Sequence, residues 1–336
     1  MSQMAPRGFI IVMMIPPPYT PVTVSDRRLR RWPCLVLVWL VALPSLVWAQ
    51  PQSTTPEHVL DVLTFNAALL PEIAASTEQA TRAARMAPHL VGYDVLVLQE
   101  LFVNRWRRAL LAELADSYPY RGALVGRDGA RDLPWRQDGG VVILSRWPIV
   151  RQAVLTFDGV CSGSDCLADK GVAYAAVRKG ARTYHVFSTH AQSVYGRDPS
   201  HVRAAQFALL RAFVAALDIP RHEPVIVAGD LNVDAYTPEL ADMLRVLGAA
   251  WPPRVGDGRF TWDPASNAWA YGEPEWLDYV LWLTDHAKPV SAWNEALLLR
   301  DGDLDLSDHH AVWGRIVMPA TPPRPPSAAR VEREPH

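Results

Sequence analysis

Positive charge is not in excess in this chain: 33 lysines and arginines face 35 acids, for a formal net charge of −2. That balance lacks the basic footprint nucleic-acid binders usually carry and leaves only a local patch open. Cysteine is scarce, with three in 336 residues, and no second Cys or His pair stands at zinc spacing. No serine sits in a nucleophile elbow, and no glycine-rich loop leads into a phosphate-cradling helix. Serine-elbow chemistry and P-loop nucleotide binding are thereby set aside. The N-terminal apolar run from Cys34 to Val47 falls short of the roughly 20 residues that span a bilayer, and Pro44 interrupts it. Internal repeats are also missing.

What that N-terminus does contain is a cationic lead from Arg27 to Arg31, the short apolar run, and Val47-Trp48-Ala49. These are the parts of a secretory signal over residues 1–49, with cleavage expected after Ala49. The paired arginines match a twin-arginine signal only loosely, and an internal start such as Met14 would shorten the leader. The mature chain then keeps Cys161 and Cys166, in "CSGSDC", which read as a loop disulfide in an exported protein. Residues 50–57 form a flexible leader, residues 58–318 a single catalytic domain, and residues 319–336 a Pro-rich disordered tail.

Half of the composition is apolar, at 49%, enough for a sizeable core. Short apolar runs read as strands: "VLDVLTF", "DVLVLQ", "GGVVILS", "GVAYAAV", "TYHVFST", "PVIVAG", "LDYVLWL" and "HAVWGRIV". Helical patterns cover Thr77 to Leu90, Asn104 to Asp116, Ser200 to Leu217 and Thr237 to Leu247. Several strands follow one another directly. The chain is therefore α/β with mixed sheets flanked by helices, not a simple βαβ repeat.

The apolar runs end on polar residues. Asn66, Gln99 with Glu100, His190, and Asp230 with Asn232 close strands; Asp308 and His309 open the last one. Side chains two apart on a strand face the same side, so Asp230 and Asn232 can enter one pocket while Leu231 packs the other way. Each alone has a bland reading as an edge carboxylate, a packed imidazole or a turn. Together they supply oxygen ligands for a hard cation such as Mg²⁺ and two imidazoles for proton transfer. Metal, base and water describe phosphate-ester hydrolysis.

Asn66, "LQE", "GGVVILS", "STH", "GDLNVD", "WLDYVL" and "SDHHAV" occur in an order that resembles the endonuclease/exonuclease/phosphatase superfamily, from about Val59 to Val317. Within it, "DCLADKGVAYAAV", "THAQS" and "TWDPASNAW" resemble the secreted neutral sphingomyelinases of bacteria. The departures are Ala191 in "THAQS", the second histidine of "SDHHAV", and no exposed aromatic hairpin between Thr284 and Leu306. The resemblance implies a DNase I-like, four-layer α/β/β/α sandwich of two mixed sheets flanked by helices. It implies Glu100 as principal Mg²⁺ ligand (Mn²⁺ or Co²⁺ substituting), with Asn66, Asp230, Asn232 and Asp308 around the site. His309 would be the general base, oriented by Asp230 or Asp308; His190 would stabilise charge or protonate the leaving oxygen.

Other residues keep open readings. Lys170 braces the loop at Asp169, meets phosphate, or is solvated. Asp278 supports a loop near the site. Arg105, Arg107 and Arg108 read as a solvated helix face. Trp251, Trp262, Trp269, Trp276 and Trp293 divide between core and a surface that meets lipid or choline. The implied partner is sphingomyelin or a related choline phospholipid at a membrane, handled by a monomer with no stable nucleic-acid partner. A secreted nuclease or other phosphodiesterase, which would want a basic groove, and a silent binding protein on the same scaffold are the alternatives.

Overall fold

The structure is a computed structural model describing residues 10–13, 55–126, 137–194 and 197–320. Apart from residues 10–13, the expected leader over 1–49 lies outside the described residues, as do residues 50–54 and the tail after 320.

The main strands are β1 (Val59–Asn66), β2 (Val95–Gln99), β3 (Val142–Ser145), β4 (Ile149–Thr156) and β5 (Gly171–Lys179), followed by β6 (Arg182–His190), β7 (Val225–Asp230), β8 (Asp278–Leu283), β9 (Ser291–Leu297) and β10 (Ala311–Val317). The helices are α1 (Gln79–Met86), α2 (Asn104–Glu113), α3 (Pro199–Ala216) and α4 (Glu239–Leu247). One six-stranded sheet runs β9-β10-β1-β2-β3, with Tyr120–Arg121 at its edge. A seven-stranded sheet runs β4-β5-β6-β7-β8, with Ile10–Met13 beside β4 and Ala249–Ala250 beside β8. Both are mixed: β1 pairs parallel with β2, and β6 with β7, while the other main pairings are antiparallel.

The continuous apolar runs have a simple cause. A strand covered on both faces must be apolar at every position. In β2, Val95 and Val97 join the core between the sheets, while Leu96 and Leu98 join a second core with Met86 of α1 and Trp106 and Leu110 of α2. On the far side, Phe213 of α3 meets Phe187 of β6 edge-on at 5.9 Å. The inner faces nearly touch at Gly314, where an added Cβ would lie 2.4 Å from the Val280 Cβ.

Several expectations change. β4 and β9 are strands outside the apolar runs, because each leaves residues half-exposed or exposed and so lacks a clean apolar run. The first helix is shorter than Thr77 to Leu90; it passes into a 3₁₀ turn, Ala87–His89, where Pro88 has no N–H to continue an α-helical ladder. Arg107 is not solvated. It is buried on α2, donating to both Asp138 carboxylate oxygens at 3.0 and 2.9 Å and to the Leu101 carbonyl at 2.7 Å. Lys179, also buried, donates to Asp94 Oδ2 at 2.7 Å and to the Val59 carbonyl at 2.7 Å, tying the two sheets together at one end.

Candidate active site

The opposite end of the two sheets carries the polar residues, and the strand directions explain why. The parallel pairs β1/β2 and β6/β7 bring Asn66, Glu100, His190 and Asp230 to the same edge. β8 and β10 run antiparallel to their neighbours, so they begin at that edge with Asp278 and, just ahead of Ala311, His309. Asp278 pairs with Asp230, and His190 with Asp230 on the other side. The site therefore straddles the seam between the sheets.

Across that seam, Asn66 Nδ2 donates to Asp230 Oδ2 at 3.0 Å. His190 Nε2 lies 3.5 Å from the same oxygen and 3.9 Å from Glu100 Oε1. His309 Nε2 is 3.8 Å from Asp230 Oδ2, and its Nδ1 is hydrogen-bonded to Asp278 Oδ2 at 2.8 Å. The orienting partner of His309 is therefore Asp278, not Asp230 or Asp308. Asp308 Oδ1 instead lies 3.2 Å from Ser307 Oγ, and its charge adds to the surroundings of Glu100. Trp262 packs edge-on against the His309 ring at 5.2 Å.

Asn232 reaches the site differently from the alternation argument. β7 stops at Asp230, and Asn232 takes a left-handed backbone with φ 52°. Asp230 Oδ1 accepts from the Asn232 N–H at 3.0 Å, an Asx turn that makes this conformation tolerable for a non-glycine residue. The Asn232 amide then donates to the Ala191 carbonyl at 3.2 Å. Glu100 also has a left-handed backbone, with φ 56°. Such residues cost on the order of 1–3 kcal/mol, and the surrounding packing must hold them. Gly229 permits the close β6–β7 approach beneath them: a Cβ there would fall 2.0 Å from the Thr189 carbonyl oxygen.

Residues that the sequence did not single out complete the frame. Ser307 Oγ donates to the Asn66 carbonyl at 2.6 Å. The fully buried Arg82 donates to the carbonyls of Ala67 and Leu306, both at 2.9 Å, and of Ala68 at 2.6 Å, fixing the loops that follow Asn66 and precede Asp308. An isolated arginine in a helix gives no such signal. Lys170 is buried rather than solvated. Its Nζ donates to the Ala191 carbonyl at 2.7 Å and lies 3.0 Å from Asp165 Oδ2. Asp165 sits in the loop closed by the Cys161–Cys166 disulfide and accepts from Ser193 N at 2.8 Å. Of the tryptophans, Trp276 is core, Trp251 packs on it, Trp269 donates to the Asp305 carbonyl and Trp293 meets Trp313 edge-on.

Charge is crowded here. Burial, and then Asp308, push the Glu100 carboxyl up to about 7; burial and Asp278 push Asp230 up to about 6. Burial, with Lys170 and His309 beside it, holds His190 well below the ordinary imidazole value. Burial acts the same way on His309, but Asp278 and Asp230 outweigh it and raise that imidazole well above its ordinary value. Crowded carboxylates and an amide form an oxygen donor set that suits a hard divalent ion. Asp230, Asp278 and His309 also present ligand atoms within 4.8 Å of one another, a group that could hold a metal. Its imidazole Nδ1 is already committed to Asp278.

The sequence model of the endonuclease/exonuclease/phosphatase family matches residues 63–309, spanning every one of these positions. The chain belongs to that family. Sphingomyelinase C of Bacillus cereus is 33% identical over 290 residues, covering 77% of this chain and 86% of that protein. The structure of sphingomyelinase C from Streptomyces griseocarneus matches with a TM-score of 0.70 at 34% identity, covering 78% of this chain and 100% of that one. A beta toxin variant from Staphylococcus aureus, solved with bound magnesium ions, matches with a TM-score of 0.68 at 29% identity over 76% of this chain and 98% of that one. The two mixed sheets with flanking helices are thus the DNase I-like fold of the bacterial sphingomyelinases, and this family member is a hydrolase of the phosphodiesterase type.

Proposed function

We propose that the chain hydrolyses sphingomyelin at a membrane surface, releasing phosphocholine and leaving ceramide. The observation that carries the reading is the pair of imidazoles around Asp230: His309 held by Asp278, and His190 beside Glu100. Hydrogen-bonded to a carboxylate through Nδ1, His309 presents Nε2 to take a proton from an attacking water; because Asp278 and Asp230 raise its imidazole well above the ordinary value, it does so in the fraction that has lost its own proton, and activity rises with pH. His190, close to Glu100 and held neutral by burial and by Lys170, is placed to donate an N–H hydrogen bond that stabilises charge on the leaving oxygen, which takes its proton from solvent. Asn232 Nδ2 and Lys170 Nζ both donate to the Ala191 carbonyl, and the second N–H of the Asn232 amide would donate to a phosphate oxygen.

Glu100, with Asn66, Asp230 and Asp308 nearby, would hold Mg²⁺, and Mn²⁺ or Co²⁺ would substitute. When bound, the ion withdraws charge from the phosphodiester. The protein acts as a monomer and forms no stable complex with nucleic acid. It is exported, with residues 1–49 removed after Ala49, a route with which the Cys161–Cys166 disulfide is consistent.

Phosphocholine release from sphingomyelin vesicles, with Mg²⁺ or with EDTA and alongside plasmid DNA, tests this. Metal-dependent release that vanishes in His309→Ala, with DNA intact, is the expected result. DNA nicking without lipid turnover would keep the site and overturn the substrate; activity on neither would overturn the enzyme reading. The N-terminal sequence of the exported protein checks the cleavage point.

A further inference from the structure

Beside the catalytic residues lies a cavity of about 360 Å³ whose lining includes Glu100, Lys170 and His190. His309 is not among its lining residues. Leu70, Pro71, Ile73, Phe102 and Leu167 supply apolar lining beside these groups, shared with polar side chains such as Gln137. At its mouth Ile73 is 83% exposed and Leu167 46% exposed, large aliphatic side chains that the core does not use. Leu167 ends the 3₁₀ turn Gly163–Leu167, which the Cys161–Cys166 disulfide closes, so this side of the wall is covalently braced.

Phosphoryl transfer sets the attacking and leaving oxygens roughly in line on opposite faces of phosphorus. With water activated at His309, the leaving oxygen emerges on the His190 side, which is the side that opens into this cavity. Its cation, Lys170, is already paired with Asp165. A sugar-phosphate leaving group would meet aliphatic carbon and an ion pair already closed on itself there. A neutral, apolar leaving group would meet matching surface.

We propose that this cavity is the leaving-group subsite, taking the sphingoid and acyl stems next to the scissile bond, and that Ile73 and Leu167 set the preference for a lipid leaving group. The inference builds on the proposed sphingomyelin hydrolysis. Its test compares kcat/KM for sphingomyelin in neutral mixed micelles with that for soluble p-nitrophenyl phosphocholine, whose leaving group is small. In Ile73→Asp and in Leu167→Asp, the ratio of the two values should fall tenfold or more. Val290→Asp, at an aliphatic 66% exposed near the far end of β10, should leave the ratio within twofold.

An unchanged ratio in both cavity variants, with the native protein active on sphingomyelin, overturns the subsite alone. Absence of sphingomyelin turnover by the native protein overturns the proposed function first. Should an aspartate variant lose its native melting transition, the alanine variant at that position replaces it, with a threefold fall expected and an unchanged ratio counting against the subsite.

Discussion

Replacing Asp278 with asparagine changes one charge and almost no volume, at a position wholly shielded from solvent. Oδ2 lies 2.8 Å from His309 Nδ1, whereas Oδ1 is buried without a hydrogen-bond partner. In the proposed mechanism His309 becomes an imidazolium, and Asp278 is the anion against it. With an effective dielectric near 20, two unit charges about 4 Å apart attract by about 4 kcal/mol, and each 1.36 kcal/mol is tenfold in rate. Measured at a pH high enough that His309 starts neutral, Asp278→Asn should therefore lower kcat by about 10³-fold. Loss of the tautomer that the carboxylate enforces works in the same direction. Binding of substrate does not involve this contact, so KM should move little, within about threefold if the loss is confined to the transition state. Folding is the discriminating measurement. The amide NH2 takes the unpartnered place of Oδ1, so that cost of about 1–3 kcal/mol remains, while loss of the charge relieves the repulsion with Asp230 and offsets the lost attraction to His309; the melting temperature should change little. The assay is phosphocholine release with thermal denaturation on the same preparations. Retention of kcat within fivefold would refute the relay, as would a rate loss accompanied by a matching loss of stability.

Lys179→Met strands the buried Asp94 carboxylate without its cation and should destabilise the domain by about 3–5 kcal/mol in urea unfolding, with kcat intact because this pair is at the far end of the sheets. Gly229→Ala drives a Cβ to within 2.0 Å of the Thr189 carbonyl. It should cost about 3 kcal/mol in chemical denaturation and reduce activity at least tenfold, since His190 and Asp230 flank that contact. Serine at both Cys161 and Cys166 opens a loop with a sequence separation of 5. Loop-closure entropy puts the loss at about 2 kcal/mol, measured as the difference between oxidised native protein and the double variant.

The strands that build the core were legible because burial on both faces leaves no choice of residue. The run from Val95 to Leu98 feeds two cores at once. Edge strands were not. β9 is only half-buried on one face, and "SAWNEAL" satisfies either periodicity. Arg107 shows the same weakness on a helix: beside Arg105 and Arg108 it reads as surface, and only the Asp138 loop, 31 residues away, buries it. The site was legible as a set of residue types. Polar groups at the ends of apolar runs mark where chains leave a sheet, and Asn66, Glu100, His190, Asp230 and His309 all do so.

Their pairing was not legible. Asp278 opens a strand of one sheet and His309 precedes a strand of the other, so the 2.8 Å bond between them is a product of how the two sheets stack. Asn232 was expected by strand alternation and arrives by an Asx turn instead. By itself, then, the sequence determined the strands, the donor chemistry and the family pattern, because apolar periodicity and residue type are local properties. Which carboxylate serves which imidazole, which arginine is buried, and that a partly apolar cavity adjoins His190 were decided only by tertiary structure, because each depends on groups brought together across the seam between two sheets.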